Sequence, residues 1–192
     1  RVYQLEADAP IDVSPTQELI LDGPATIMGG RNKAVFGEWE PVTSPLKPHK
    51  YYPVMSWLAY GLFSLLGAGF WQANFISVLT GFLTVVLVAA FAREHFGRRA
   101  SLVSAFFVAV NYVFITYNRD PMAYTTVSWA MILSLYLWGR GKAHPGWYAV
   151  SGAVCVFAAL FIKLPAIAFV PAGILGLFVI VWRRRERRVQ PR

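Results

Sequence analysis

The chain has 192 residues, of which 56% are hydrophobic and 16% aromatic, and a formal net charge of +8 at pH 7. Its mean hydropathy of +0.46 is far above that of a soluble globular protein and indicates a membrane protein. Nucleic acid is excluded as an expected partner, because residues 1–50 hold seven acids against five bases and the excess cations lie in short clusters between apolar runs.

Residues 1–50 form the polar part of the chain and contain no apolar run long enough to cross a bilayer. We predict that they form an extracytoplasmic loop. The chain opens on Arg1 without an initiator Met or the pattern of a signal peptide, so we expect it to begin part-way into a longer protein.

Residues 51–69 are predicted to form a helix that lies along the outer membrane face. Tyr51, Tyr52, Trp57, Tyr60 and Phe63 recur in this run, and Tyr and Trp favour the level of the lipid headgroups. A further full crossing here would put the acidic N-terminal segment in the cytoplasm. The alternative interpretation is a short, tilted transmembrane span.

Five transmembrane spans are predicted from the apolar runs, each about as long as a hydrocarbon core requires. They cover residues 70–92, 100–117, 122–138, 147–162 and 165–182. The clusters Arg93–Arg99, Arg140–Lys142 and Arg183–Arg188 fall on one side if the spans alternate, so that side is predicted to be cytoplasmic. Residues 183–192 are then a basic cytoplasmic tail. The sequence therefore predicts an all-α, polytopic membrane helix bundle with an outer loop and an interfacial helix.

Five motifs in order give the chain a family resemblance. They are LDGPATIMGGRNKAVFGEWEP at 21–41, KPHKYYPVMSWLAYGLFSLLG at 47–67, EHFGRRASLVSAFFVAV at 94–110, YNRDPMAY at 117–124 and LFIKLPAIAFVPAG at 160–173. Together they resemble the GT-C type glycosyltransferases that use polyprenyl-phosphate sugars (family 39), a group related to protein O-mannosyltransferases and lipid A aminoarabinose transferases. Two departures are Asp22-Gly23, where the family has Asp-Glu, and Tyr52-Pro53, where it has Pro-Pro.

The resemblance implies a GT-C fold in the cell membrane and transfer of a hexosyl or pentosyl group on the extracytoplasmic face. The donor would be a polyprenyl-phosphate sugar, and the acceptor a protein, lipid A or an envelope glycan. It also implies a span before Arg1 and further parts after Arg192, so that the chain is an N-terminal membrane core fragment that could be inactive alone.

Transfer from a lipid phosphate needs a carboxylate that deprotonates the acceptor hydroxyl. From the residues alone, a solvated loop acid is the favoured interpretation of Asp22; the resemblance assigns it as the catalytic base. Asp120 and Glu18 are candidates for a second acid that orients the acceptor. Asp120 lies in Asn118–Pro121, a pattern that is also typical of a simple turn.

Cations must hold the departing phosphate. Lys163 is the foremost candidate, because it is the only charge between two apolar runs, although a lysine there could also simply snorkel to the interface. Lys50 is favoured together with Lys163, because it flanks the predicted interfacial helix. Arg31 and Arg119 are the further candidates. Metal dependence stays open, since two carboxylates could hold a divalent metal such as Mg²⁺ but nothing requires it; no cofactor is otherwise expected.

A transporter or flippase for a lipid-linked or small polar substrate is the alternative function. A transporter is expected to show charges or broken helices at mid-membrane and repeated halves. The predicted spans carry no ionisable residue in their interiors, and the polar residues gather on one predicted face. This pattern favours an interfacial active site over a transport pathway.

Overall fold

The computed structural model describes residues 18–39, 50, 53–119, 121, 123–141, 143–144, 146–163, 166 and 174, and for residues 18–24 the backbone alone. All regular secondary structure in this part of the chain is helical, which confirms the predicted all-α class. Most of the predicted N-terminal loop before Glu18, most of the predicted fifth span and the basic tail lie outside the described residues.

The structure describes seven α-helices in this part of the chain. They are α1 (Glu18–Phe36), α2 (Pro53–Leu66), α3 (Phe70–Phe96), α4 (Arg98–Val110), α5 (Tyr112–Tyr117), α6 (Ala123–Arg140) and α7 (Gly146–Phe157). A π-helical turn, Ala158–Ile162, continues α7.

Among the described helices, α3 is the one that is both long and apolar enough by itself to cross a membrane. Its 27 residues span about 40 Å, more than the roughly 30 Å of a hydrocarbon core. The helix stops at Gly97, whose φ of 88° is costly for any residue with a side chain. The Gly97 N–H donates to the Arg93 carbonyl at 3.2 Å.

The predicted span 100–117 is broken in the structure at Asn111, which separates α4 from α5. Asn111 has an extended backbone (φ −62°, ψ 118°), and its side-chain oxygen accepts the Phe114 N–H at 2.8 Å. An asparagine that caps a helix start in this way offers the backbone an alternative to a continuous helix. The five-span topology itself stays a prediction.

Residues 18–36, predicted as part of a loop, are helical and form α1. This helix packs on α2, which is its main neighbour. At their crossing, a Cβ on Gly30 would lie 2.6 Å from Tyr60 N and 2.8 Å from Ala59 Cβ. The backbones therefore approach more closely than any residue other than glycine allows, and this packing supports the helix.

Helix α2 falls within the predicted interfacial segment 51–69. Its 14 residues span about 21 Å, which is short of a hydrocarbon core. Met55, Ala59 and Phe63 are buried on one side, whereas Trp57 and Leu65 are exposed. Its length favours the interfacial interpretation over the full crossing.

The bundle core is held together by small residues and hydroxyl groups. Helix α3 packs on α4 and α6, and α6 packs on α7. Between α6 and α7, Ser134 Oγ lies 2.8 Å from Ser151 Oγ and 2.9 Å from Cys155 Sγ. Such interhelical hydrogen bonds are a usual means of association between membrane helices.

The two ends of the bundle differ in character. At one end, Thr126 Oγ1 contacts Met55 Sδ at 3.3 Å, which joins the start of α6 to α2. At the other end, Arg140 Nε lies 3.6 Å from Glu94 Oε2. The basic ends of α3 and α6 thus lie together, and α1 and α2 lie at the opposite end, which we call the α1/α2 end.

Candidate functional site

The site is built where α1 meets the turn between α5 and α6. Thr26 Oγ1 donates to the Pro121 carbonyl, a buried contact between residues 95 positions apart in the sequence. Thr26 is 1% exposed, so its hydroxyl is shielded from solvent. Helix α1 is therefore joined directly to the segment Asn118–Pro121 at the α1/α2 end.

The helical register places two predicted acids relative to this contact. Asp22 is four residues before Thr26 in α1, and Glu18 is four residues before Asp22. Residues four apart lie on the same face of an α-helix. The backbone of Asp22 therefore lies one helical turn, and that of Glu18 two turns, before the residue that contacts Pro121.

The turn is fixed on its other side by α3. Asn118 is 1% exposed, and its amide lies on Gly81, where a Cβ would overlap it. Both polar atoms of this amide and the Ser77 hydroxyl are buried and have no hydrogen-bond partner among the described residues. Asp120, the predicted second acid, lies outside the described residues, between Arg119 and Pro121.

Lys163, the foremost predicted phosphate ligand, lies at the same end. Its Nζ sits 3.4 Å from the centroid of the Tyr124 ring, a cation–π contact. Lys163 follows the π-helical turn and has an extended backbone. Turns of this kind are frequent at functional sites. The structure thus joins the end of the predicted fourth span to the start of α6.

Tyr124, which Lys163 contacts, also lines an apolar cavity of about 650 Å³, a volume typical of ligand pockets. Tyr124 and Tyr117 both form part of its wall. Their rings are arranged edge to face, with 6.1 Å between the ring centroids. The break in the helix at Asn111 contributes to the lining, together with Phe107 and Phe114 from α4 and α5. The cavity can accept an apolar chain, with a cation close to its wall.

The remaining predicted cations are not gathered around Lys163 by any described contact. Arg31 is exposed and nine residues after Asp22, which is about 14 Å along α1 and on its opposite side. Lys50 is also exposed, whereas Arg119 is half-buried in the turn next to Asn118. Of these three, the position of Arg119 agrees best with a role at the site.

No group of three His, Cys, Asp or Glu side chains that could hold a metal occurs among the described residues. The side chains of Asp22, Glu18 and Asp120 lie outside the described part of the chain. The metal dependence that the sequence left open therefore stays open.

The sequence analysis missed Thr26, Tyr124 and the cavity. Thr26 could have been predicted only if residues 18–36 had been recognised as a helix, because Thr26 and Asp22 are four residues apart and residues at this spacing are neighbours only in a helix. Tyr124 stands in the quoted run YNRDPMAY, but no local pattern connects it to Lys163. These contacts arise from the packing of distant segments.

Comparison with known proteins identifies the same class as the motifs. The family described as dolichyl-phosphate-mannose-protein mannosyltransferase matches residues 46–191. That range includes Asn118–Pro121 and Lys163 but not Asp22. A search of curated proteins finds no match.

A solved structure shares the fold. The crystal structure of ArnT from Cupriavidus metallidurans in the apo state matches with a TM-score of 0.67 and 24% sequence identity. The match covers 84% of this chain and 31% of that one, so the chain spans about a third of the length of ArnT. The predicted GT-C helix bundle is thereby confirmed as a fold.

Proposed function

The chain belongs to the dolichyl-phosphate-mannose-protein mannosyltransferase family, and on that premise we propose that it is the membrane core of a glycosyltransferase. The whole protein moves a hexosyl or pentosyl group from a polyprenyl-phosphate carrier to a hydroxyl of a protein, lipid A or an envelope glycan. As a GT-C family member it is an integral membrane protein. We further propose that it is multi-pass, with the α1/α2 end on the extracytoplasmic face.

The observation that carries this proposal is the position of Lys163 against Tyr124 at the wall of the apolar cavity. A polyprenyl phosphate combines an anionic head with a long apolar tail. An ammonium group beside an aromatic cavity complements both parts, because it offers a charge-assisted hydrogen bond to phosphate next to a surface that accepts isoprene units. Arg119 supplies a second cation to the leaving phosphate.

Asp22 acts in this proposal as the base that takes the proton of the acceptor hydroxyl. Its support is the register of α1, in which Asp22 lies one turn before the residue that contacts Pro121. Asp120 and Glu18 orient the acceptor. The base and the phosphate ligand would thus be provided by different helices that meet at the α1/α2 end.

One observation supports the alternative of a transporter or flippase. The helix is broken at Asn111, and discontinuous helices line transport sites. The charged side chains of α3, α4 and α6 nevertheless lie at the ends of these three helices and not in their interiors. A transport cycle would leave the sugar–phosphate bond of the lipid intact, whereas a transferase breaks it.

The test uses the purified full-length protein with a polyprenyl-phosphate sugar labelled in the sugar. We expect Lys163→Ala to weaken donor binding by about 1.5–3 kcal/mol, roughly tenfold to more than a hundredfold, as for the loss of a charge-assisted hydrogen bond. Lys163→Arg should retain part of the affinity.

Lys33→Ala is the matched control, because Lys33 Nζ donates to the Gly37 carbonyl at the exposed end of α1. It should leave donor binding unchanged. If Lys163→Ala binds the donor as tightly as the wild type, Lys163 does not bind the phosphate and is a lysine that snorkels to the membrane interface. Movement of intact labelled lipid across vesicles without transfer to any acceptor would favour the flippase.

A further inference from the structure

The hydroxyl of Thr26 joins the two segments that hold the predicted acids. Thr26 Oγ1 donates to the Pro121 carbonyl, and both residues are buried. The backbone of Thr26 is tied to α2 as well, since Ser56 Oγ donates to the Thr26 carbonyl at 3.4 Å. Thr26 therefore lies at the junction of α1, α2 and the turn Asn118–Pro121.

The turn has little freedom to follow α1 if this contact is lost. Its first residue, Asn118, is packed on Gly81 of α3, and the Asn118 N–H donates to the Phe114 carbonyl at 3.1 Å. The turn is thus attached to the bundle independently of α1. Among the described residues, the hydrogen bond from Thr26 to Pro121 joins α1 to the turn, so the separation between α1 and the turn depends on this contact.

We propose that Thr26 is a positioning residue that sets the distance between the Asp22 turn of α1 and the Asn118–Pro121 turn that contains Asp120. This inference rests on the proposed transfer reaction. Asp22 precedes Thr26 by one helical turn, or about 5 Å along the axis, so a shift of α1 at Thr26 is passed directly to Asp22. Thr26 itself takes no part in proton transfer.

The consequence for the reaction follows from geometry. A displacement of about 1 Å between reacting groups can lower a rate by about 100-fold, even when the change is remote from the chemistry. Donor binding should be spared, because Lys163, Tyr124 and the cavity belong to α4, α5, α6 and the segment after α7, and not to α1. Loss of the Thr26 hydroxyl is therefore expected to lower kcat and to leave the KM for the donor unchanged.

The experiment compares Thr26→Val, which keeps the shape but removes the hydroxyl, with Thr26→Ser, which keeps the hydroxyl. The full-length protein is used throughout. Thr26→Val should lower kcat by about 10- to 100-fold with a donor KM within about twofold of the wild type, and Thr26→Ser should recover most of the rate. Thr84→Val is the matched control, because Thr84 is equally buried but donates within its own helix, to the Thr80 carbonyl at 2.8 Å.

A second measurement does not depend on activity. Spin labels at the exposed positions Val35 on α1 and Val113 on α5 report the distance between α1 and the helix that leads into the turn. The distance distribution should broaden in Thr26→Val and remain as in the wild type in Thr26→Ser and Thr84→Val.

The outcomes separate the two proposals. Wild-type kcat and an unchanged distance in Thr26→Val would overturn the positioning role, as would equal losses in Thr26→Val and Thr84→Val. If the wild-type protein transfers no sugar, the transfer reaction is refuted, and the Thr26 contact has no catalytic role. If the distance distribution still broadens in Thr26→Val, the contact itself holds α1 to the turn.

Discussion

Gly30→Ala is the most direct test of how α1 is held. A methyl group at this position would lie 2.6 Å from Tyr60 N, 2.8 Å from Ala59 Cβ and closer still to the Ser56 carbonyl. Two of these three atoms are backbone, so no side chain can rotate away, and α1 must move off α2. Overpacking of this kind costs about 1–3 kcal/mol, and backbone obstacles put the expected cost near the upper end.

The intrinsic helix preference works against this cost. Alanine is favoured over glycine in a helix interior by about 0.5–1 kcal/mol, so the net loss of stability should be about 2 kcal/mol. For a unit of this size, that corresponds to a fall in Tm of roughly 4–8 °C.

Gly61→Ala in α2 is the matched control, because a Cβ there meets nothing within 4 Å. It should raise the free energy of unfolding by up to about 1 kcal/mol.

Thermal unfolding of both variants can be followed by tryptophan fluorescence. Trp39 lies 4.8 Å from Trp57 and 5.4 Å from Tyr60, ring centroid to centroid, so this aromatic cluster reports on the junction of α1 with α2. If Gly30→Ala proves as stable as Gly61→Ala, the helices do not approach at Gly30, and the packing account of α1 is wrong.

Three further predictions concern the site and its orientation. Asp22→Asn should lower transfer by about 100-fold or more, as for the loss of a general base, while donor binding persists; Glu38→Gln, an exposed acid just beyond α1, should cost far less, and equal rates in both would remove Asp22 as the base. Tyr124→Leu should weaken donor binding by about 0.5–2 kcal/mol through loss of the cation–π contact, whereas Tyr124→Phe should bind nearly as well as the wild type; an equal loss in both would implicate the phenol hydroxyl instead. In a background without native cysteines, Glu38→Cys should react with an impermeant thiol reagent in intact cells and His144→Cys, also exposed, should not; the reverse pattern would invert the predicted orientation.

Much of the helix bundle is encoded locally. The predicted spans 70–92, 122–138 and 147–162 agree closely with the helices at Phe70–Phe96, Ala123–Arg140 and Gly146–Ile162. Apolar runs of this length must satisfy their backbone hydrogen bonds internally, so they are helical irrespective of their neighbours. The glycine and arginine clusters at their ends mark the boundaries for equally local reasons.

Helix α1 shows where local reasoning ends. Gly23-Pro24 and Gly29-Gly30 favour a loop, because glycine is a poor helix former and an internal proline removes a hydrogen bond. The structure has a helix there, since Gly30 permits a close approach to α2 that offsets the low propensity. The break at Asn111 is the opposite case, in which a polar side chain ends a helix within an apolar run.

The sequence by itself determined the membrane class, the long apolar helices α3, α6 and α7, and the residue types that could do the chemistry. Only the tertiary structure decided which of them meet: Thr26 with Pro121, and Lys163 with Tyr124. The reason is physical. Helix formation depends on neighbours a few residues apart, whereas these contacts join segments about 40 to 95 residues apart and exist only because the intervening helices pack in one arrangement.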